Sequence, residues 1–310
     1  MKKRKPNKQQ PNKVQGNKAP MSSPRSMDKV MSDLSKLLAR HEFSSIDEIN
    51  AFLNENINGT EMPSFAPETP LEEAQELMYE AWETRSPKER IRLAKKALKI
   101  SQDCADAYVL LAEEEARSVE EAHDLFAAGV AAGERALADD FEEMTGHFWG
   151  ITVTRPYMRA RAGLATTLWL LGQHEAAITH YRQMLQLNPG DNQGIRYTLL
   201  NALLSHGTAE EIEKLLEMYP DDVAASWLYN RALFVFRHGS KRDADKRLAK
   251  AISFNEHVPA FLLKRRRLLK QLPDYMGFGD ETEAAHCVYE SQHHWQKEPG
   301  ALAWLQEAID

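Results

Sequence analysis

The chain has 310 residues, of which 43% are hydrophobic and 27% charged, and its formal charge at pH 7 is −7. The length allows one large domain or two of ordinary size. Two cysteines are too few for a disulfide scaffold, and the longest nearly apolar run, residues 163–172, falls far short of the ~20 residues of a membrane-spanning helix. We therefore expect a cytoplasmic protein rather than a secreted or membrane-spanning one.

The first 27 residues differ in charge from the rest of the chain. They contain eight Lys or Arg and no acidic residue, so the remainder carries a formal charge of −15. Four prolines and almost no aliphatic side chains predict a disordered tail over 1–27, because little apolar surface offsets the entropy of ordering. Its basic residues, with Lys2, Lys3, Arg4 and Lys5 at the start, suit the phosphates of RNA or of a ribosome. Alternatively, the tail only increases solubility.

Helix starts are visible along most of the remaining chain. Residues 28–68 are predicted to form a short helical lead-in and a Pro-rich linker, and capping boxes, in which Ser or Thr precedes Glu by three residues, mark the helices. The only β-rich run, 151–154, is short, so we predict an all-α fold. The capping pairs are Ser45 with Glu48, Thr69 with Glu72, Ser86 with Glu89, Ser118 with Glu121 and Thr208 with Glu211.

Residues 157–189 contain the pattern of a helical hairpin, YMRARAGLATTLWLLGQHEAAITHYRQMLQLNP. This pattern resembles the tetratricopeptide repeat (TPR), in which small residues let two antiparallel helices approach each other. Residues 69–310 are therefore predicted to form one TPR-like α-solenoid of about five to six hairpins, with the last helices as a cap. The matching residues are Leu164, Ala165, Gly172, Ala177, Tyr181, Met184, Leu185 and Pro189. Weaker copies occupy 71–104, 105–132, 195–220 and 228–255, and a degenerate copy begins at Val258.

The repeat spacing breaks between the second and third copies. Residues 129–143 are predicted to extend a helix, and 145–157 is an insertion that contains Phe148 and Trp149. Such an insertion either forms a binding loop or fills the gap between two repeats. The second alternative is favoured because large aromatic side chains are usually buried.

A second resemblance covers residues 70–305. The chain reads DCADAYVLLAEEEA at 103–116, FNEHVPAFLL at 254–263 and GDETEAAHCVYESQHHW at 279–295. These runs resemble the suppression-of-tumorigenicity protein family and its uncharacterised bacterial TPR relatives. The resemblance implies a TPR-like fold but neither a reaction nor catalytic residues. The vertebrate members are membrane-associated through hydrophobic N-terminal segments. The basic, hydrophilic start of this chain does not match those segments.

TPR arrays bind extended or helical peptides along a groove that their first helices line. We expect polar groove residues to hold backbone amides or carboxylates, whereas the aromatic ones could equally pack between neighbouring helices. The partner would be a protein or peptide segment. The groove positions of the TPR pattern correspond here to Arg159, Thr166, Trp169, Tyr197, Asn201, Tyr229 and Arg237.

Motifs for an enzyme are scarce in this sequence. It has no phosphate-binding loop, no nucleophile elbow and no dinucleotide-binding fingerprint. We therefore predict a non-enzymatic adaptor or scaffold that needs neither a cofactor nor a metal. An RNA- or ribosome-associated factor is the first alternative. A hydrolase that uses His147, Arg155 or the cluster between His286 and His294 is the second.

Overall fold

The computed structural model describes Arg25 and residues 27–56, 63–268, 271–273 and 275–310, with only the backbone of Asp139. Within these ranges the chain forms sixteen α-helices and no strand, which confirms the predicted all-α fold. The predicted disordered tail lies almost wholly outside the described residues, as do Lys2, Lys3, Arg4 and Lys5. The first eight helices are α1 (Met27–Ala39), α2 (Ile46–Asn56), α3 (Pro70–Glu83), α4 (Pro87–Ile100), α5 (Ala105–Glu114), α6 (Val119–Leu137), α7 (Phe141–Met144) and α8 (Arg155–Leu170). The others are α9 (His174–Leu187), α10 (Ile195–His206), α11 (Ala209–Met218), α12 (Ala225–His238), α13 (Lys241–Phe254), α14 (Val258–Leu262), α15 (Glu281–Lys297) and α16 (Ala301–Ile309).

Ten of the helices form five consecutive hairpins, which makes the body a TPR-like α-solenoid. The hairpins are α3 with α4, α5 with α6, α8 with α9, α10 with α11 and α12 with α13. The sixth copy is degenerate, as predicted, because α14 has five residues and packs against the two helices that follow it. Of these, α15 lies against α12 and α10, and α16 lies against α13 and α14, so they close this end of the stack.

The third hairpin shows how the repeat residues produce the fold. Ala165 of α8 and Ala177 of α9 are completely buried, so the two helices approach closely. Gly172, between the helices, has a φ of +78°, a conformation that glycine adopts without strain. Gly163 packs on the preceding hairpin, where an added Cβ would lie 2.2 Å from the ring of Phe126. The small residues therefore set the spacing both within and between hairpins.

Capping explains several of the helix boundaries. Thr208 forms the complete predicted box, and the hydroxyls of Ser45, Thr69 and Ser118 each accept the amide of the Glu three residues later. The prediction for Ser86 is wrong, because its hydroxyl caps nothing in α4. The expected partner of Ser86 is engaged elsewhere: the carboxylate of this Glu accepts two bonds from the Arg three residues later on α4.

The insertion between α6 and α8 is a plug. Phe148 is completely buried, and its ring packs against Phe141 and Tyr157 with centroid distances of 4.9 and 5.8 Å. The amides of Gly146 and Phe148 both donate to the carbonyl of Leu187 at the end of α9. The prediction that one helix extends to residue 143 is wrong after residue 137, where a 3-10 turn and the short α7 lead the chain back toward this core.

The lead-in contributes a helix that belongs to no hairpin. Helix α1 packs against α3 and against the turn at 152–154 just before α8. After α1, Phe52 of α2 lies with His41 and Phe43 in a small aromatic group. The predicted boundary between 28–68 and 69–310 stays a prediction, although α1 lies directly on the repeat body.

Candidate functional site

The first helices of the five hairpins are α3, α5, α8, α10 and α12. In a solenoid of this kind they line the concave side, which we name the inner surface. The predicted groove residues belong to three of these helices: α8, α10 and α12. Their surroundings show which parts of the inner surface are open and which are occupied.

A continuous row of polar contacts crosses the inner surface from α3 to α8. Gln75 of α3 donates to Asp106 of α5 at 2.9 Å. Asp106 is completely buried and accepts two bonds from Arg159 of α8, at 2.8 and 2.7 Å. Arg159 also donates to Asp28 of α1 at 2.7 Å, and Arg155 donates to the second oxygen of Asp28 at 2.5 Å. We name these five side chains the polar row.

Arg159 stands at the centre of the polar row. Burial alone would lower the pKa of its guanidinium, but the adjacent carboxylates of Asp106 and Asp28 outweigh burial and raise that pKa. The cation is therefore retained with only 9% of the side chain exposed. Buried guanidinium groups with two carboxylates are stable only when most donors are satisfied, and here three bonds to the two acids, one from each nitrogen of the guanidinium, satisfy them.

Helix α1 lies antiparallel to α3 along the inner surface. Its Lys36 pairs at 3.0 Å with Glu72 near the start of α3, and its Lys29 pairs at 2.7 Å with Glu76 one turn later. Arg25, just before α1, lies 5.6 Å from the ring centre of Trp82 near the end of α3. The fully buried side chains of α1 are two carboxylates, whereas none of its leucines is fully buried. The leucines are half-buried, so the most deeply buried contacts of α1 are its ion pairs.

A cavity of about 360 Å³ lies beside the polar row, between α1 and the repeat body. Its apolar wall comes from α3, from the insertion and from the start of α8. The largest side chains of this wall are Leu71, Tyr79, Ile151, Val153 and Tyr157. Asp28 and Arg159 form one polar end.

The next predicted groove residues occupy the middle of the inner surface. Thr166 is exposed, and its hydroxyl donates to the carbonyl of Ala162 one turn earlier. Trp169 is half-buried between the rings of His174 and His206, with centroid distances of 4.3 and 5.2 Å. Of these two side chains, only that of Thr166 is open to a ligand.

Tyr197 belongs to a separate polar group on α10. Its hydroxyl donates to Asp222 at 2.9 Å and accepts from Arg196 at 2.6 Å. Burial, followed by the charge of Asp222, raises the pKa of this hydroxyl, so Tyr197 stays neutral. This group joins α10 to the loop before α12 and does not contact the polar row.

The last predicted residues are covered from the C-terminal side. The amide nitrogen of Asn201 donates to the carbonyl of Tyr197, one turn earlier in α10. Arg237 donates to Glu298, at the end of α15, at 2.5 Å. Tyr229 is completely buried, and its hydroxyl donates to the backbone at the end of α13. Its role is packing, the alternative that the sequence left open for the aromatic residues.

Arg159 is the only predicted groove residue in the polar row. Sequence reasoning missed Gln75, Asp28 and Asp106, and considered Arg155 only for a hydrolase. One signal was present: Asp106 is an acid inside the otherwise apolar run ADAYVLLA, and buried acids in such runs usually have a cationic partner.

The side chains considered for a hydrolase do not form one site. His147 is exposed on the insertion, whereas Arg155 is bound to Asp28 and to the carbonyl of Trp149. In the C-terminal cluster His294 is buried, and burial, then the nearby cations, lowers its pKa to about 3. Across the described part of the chain, no three His, Cys, Asp or Glu side chains are grouped as metal ligands would be.

These features define a class, the TPR-like helical-repeat proteins. Within that class, sequence comparison assigns the chain to one family. The family described as "ST7 protein" matches residues 63–309, and the chain belongs to this family.

Relatives of the chain are known from several animals. It is 30% identical over 257 residues to the suppressor of tumorigenicity 7 protein-like of Rattus norvegicus and 29% identical over 257 residues to that of Homo sapiens. The alignments cover 74% of this chain and 45% and 44% of those proteins. The ST7 homolog of Drosophila melanogaster is 28% identical over 259 residues, which cover 75% of this chain and 48% of that protein. The chain thus spans less than half the length of these relatives.

One solved structure is similar to part of the stack. YrrB, a TPR protein described as having an unusual peptide-binding site, aligns with 66% of this chain and 90% of its own, at 19% identity and a TM-score of 0.42. Separately, none of the helices in the described ranges is long and apolar enough to cross a membrane.

Proposed function

We propose that this protein is a non-enzymatic adaptor or scaffold whose inner surface binds a protein or peptide segment. The supporting observation is that the inner surface already holds α1, a helix outside every hairpin, through the buried pairs of Asp28 with Arg155 and Arg159. A surface that satisfies the polar side chains of one helix offers the same donors to another.

We also propose that the protein is located in the cytoplasm, a reducing compartment. Cys104 and Cys287 are buried thiols without a disulfide partner, as is usual for proteins that stay inside the cell. The role of Lys2, Lys3, Arg4 and Lys5 in contacting RNA or a ribosome stays a prediction.

Site-specific photo-crosslinking tests the proposal, with two threonines as a matched pair. Thr166 on the first helix α8 and Thr179 on the second helix α9 are both exposed, and each hydroxyl bonds the carbonyl four residues earlier. A photoreactive residue at Thr166 of the full chain should label a protein partner in cells, and the same residue at Thr179 should not. Absence of a product at Thr166, or equal labelling at both sites, would refute binding on the inner surface.

A further inference from the structure

Helix α1 covers part of the inner surface but does not fill the cavity beside it. Asp28, Ser32, Ser35 and Ala39 all line the cavity, and their spacing of four, three and four residues places them on one side of the helix. Apart from Asp28 these side chains are small, and those of Ser35 and Ala39 are still exposed. Lys36 also lines the cavity but pairs with Glu72, and Ser32 hydrogen-bonds Tyr79. The side of α1 that faces the cavity therefore supplies polar groups and almost no apolar volume.

The opposite wall of the cavity is apolar. Leu71 and Tyr79 line it from α3, and Ile151 and Val153 line it from the insertion. The space of about 360 Å³ leaves the cavity-facing surface of these side chains without apolar contacts, which is unfavourable compared with a filled core. A cavity of that size can take two leucine-sized side chains.

We propose that the inner surface between α3 and α8 docks an amphipathic helix of a partner protein, which places a carboxylate between Arg155 and Arg159 and two bulky apolar side chains in the cavity one and two turns later. On this proposal, which rests on the proposed function, α1 is the built-in competitor. A partner with the same carboxylate and better apolar side chains displaces it.

The charges along the edge of the site define the partner further. Glu72, Glu76 and Glu113 of the repeat body contact Lys36, Lys29 and Arg25 of the α1 segment. A partner helix that replaces α1 thus needs an acid at the N-terminal end of its docking face and basic residues beside that face. Each exposed pair adds little affinity, so their contribution is mainly to orientation and selectivity.

Competition lowers the apparent affinity of any external helix. The measured dissociation constant equals the intrinsic one divided by the fraction of molecules in which α1 has left the site. A substitution that weakens α1 alone must therefore strengthen the binding of an external helix. A site unrelated to α1 would not respond in this way.

Peptide binding to the full chain tests the proposal. The probe is a fluorescent peptide with the sequence of residues 25–40 that carries Ser32→Leu and Ser35→Leu, and binding is measured by anisotropy. It should bind at least about tenfold more tightly than the unmodified 25–40 peptide, because each leucine buries apolar area that serine lacks. Asp28→Asn within the probe should weaken binding about tenfold or more, because it removes the charge opposite two arginines.

Two variants of the chain complete the test. Asp28→Asn in the full chain should increase its affinity for the probe. Adding Arg155→Gln to that variant should decrease the affinity again, because α1 then no longer offers Arg155 a carboxylate and only the probe loses a partner, while Arg159 keeps its bonds to Asp106. If the two leucines do not improve binding, or if Asp28→Asn in the probe has no effect, the assignment is refuted. Laurate, a carboxylate on an alkyl chain, is the small-molecule comparison, and displacement of the probe by laurate at equal concentration would refute a helix as the ligand.

The two proposals can fail separately. If the probe results are negative but crosslinking at Thr166 still captures a partner, the inner surface binds proteins without the acidic helix described here. If the probe binds as expected and Thr166 captures nothing, the surface between α3 and α8 binds an acidic helix in vitro, but no partner in cells reaches Thr166, which refutes the wider adaptor function.

Discussion

Lowering the pH from 7 to 5 should destabilise the protein through His294. This side chain of α15 is 3% exposed. Burial, followed by the charges of His293, Arg237 and Lys297, lowers its pKa from 6.5 to about 3. The native state therefore holds His294 neutral at pH 5, whereas the unfolded chain binds a proton there. His294 therefore costs no stability above the unfolded pKa of 6.5, and the free energy of unfolding falls as the pH decreases from there toward 3.

The size of the loss is set by the unfolded chain. At pH 5 the unfolded imidazole is 1.5 pH units below its pKa, and each unit corresponds to about 1.4 kcal/mol, so His294 should reduce the free energy of unfolding by about 2 kcal/mol relative to pH 7. Any native pKa below about 4 gives nearly the same value, because the native side chain is then neutral at pH 5.

Urea unfolding at the two pH values, followed by circular dichroism, measures this loss. His294→Gln should remove about 2 kcal/mol of the pH dependence, because glutamine does not titrate in this range. His147→Gln, at an exposed site on the insertion, is the control and should keep the wild-type difference. If His294→Gln shows the same loss between pH 7 and pH 5 as the wild type, the argument from burial is refuted.

Three further predictions concern the repeat body. Thr208→Ala should cost about 1 kcal/mol in urea unfolding because it removes a complete capping box, whereas Ser86→Ala, which loses no cap, should cost less than about 0.5 kcal/mol; equal costs would contradict this. Gly163→Ala should destabilise by about 1–3 kcal/mol because its Cβ would lie 2.2 Å from a phenylalanine ring of α6, and an unchanged melting temperature would exclude the close approach. Burial raises the pKa of Cys104 and Cys287 to about 12, so neither thiol should react with Ellman's reagent at pH 8 until urea unfolds the chain, and rapid reaction of the native protein would disprove their burial.

Local patterns predicted the repeats well. Each hairpin depends on contacts between residues near in sequence, and its small residues and turn glycine reflect how closely two helices pack. The third hairpin was therefore readable from Ala165, Gly172 and Ala177. The absence of a cap at Ser86 could not be predicted, because a Ser followed three residues later by Glu fits a capping box whether or not Arg92 binds the side chain of Glu89.

The polar row could not be predicted in the same way. Its central bond joins residues 131 positions apart in the chain, and the pattern of a single repeat does not contain such a pair. The TPR pattern indicated that Arg159 faces the inner surface, but not that a helix from the lead-in already contacts it. The aromatic Tyr229 illustrates the opposite case: it matches a groove position, yet its whole side chain is buried in packing.

The way α1 is attached lowers the free energy needed to release it. When an ion pair separates, water solvates both charges again, so much of the attraction between Asp28 and the two arginines is recovered as hydration. Apolar packing has no such compensation, because exposing a leucine to water only costs free energy. Since α1 has no fully buried apolar side chain, the apolar free energy that opposes its departure is smaller than that of a repeat helix such as α8, which buries Met158, Leu164 and Leu168. A competing helix that adds two leucines to the same carboxylate gains the apolar term that α1 lacks.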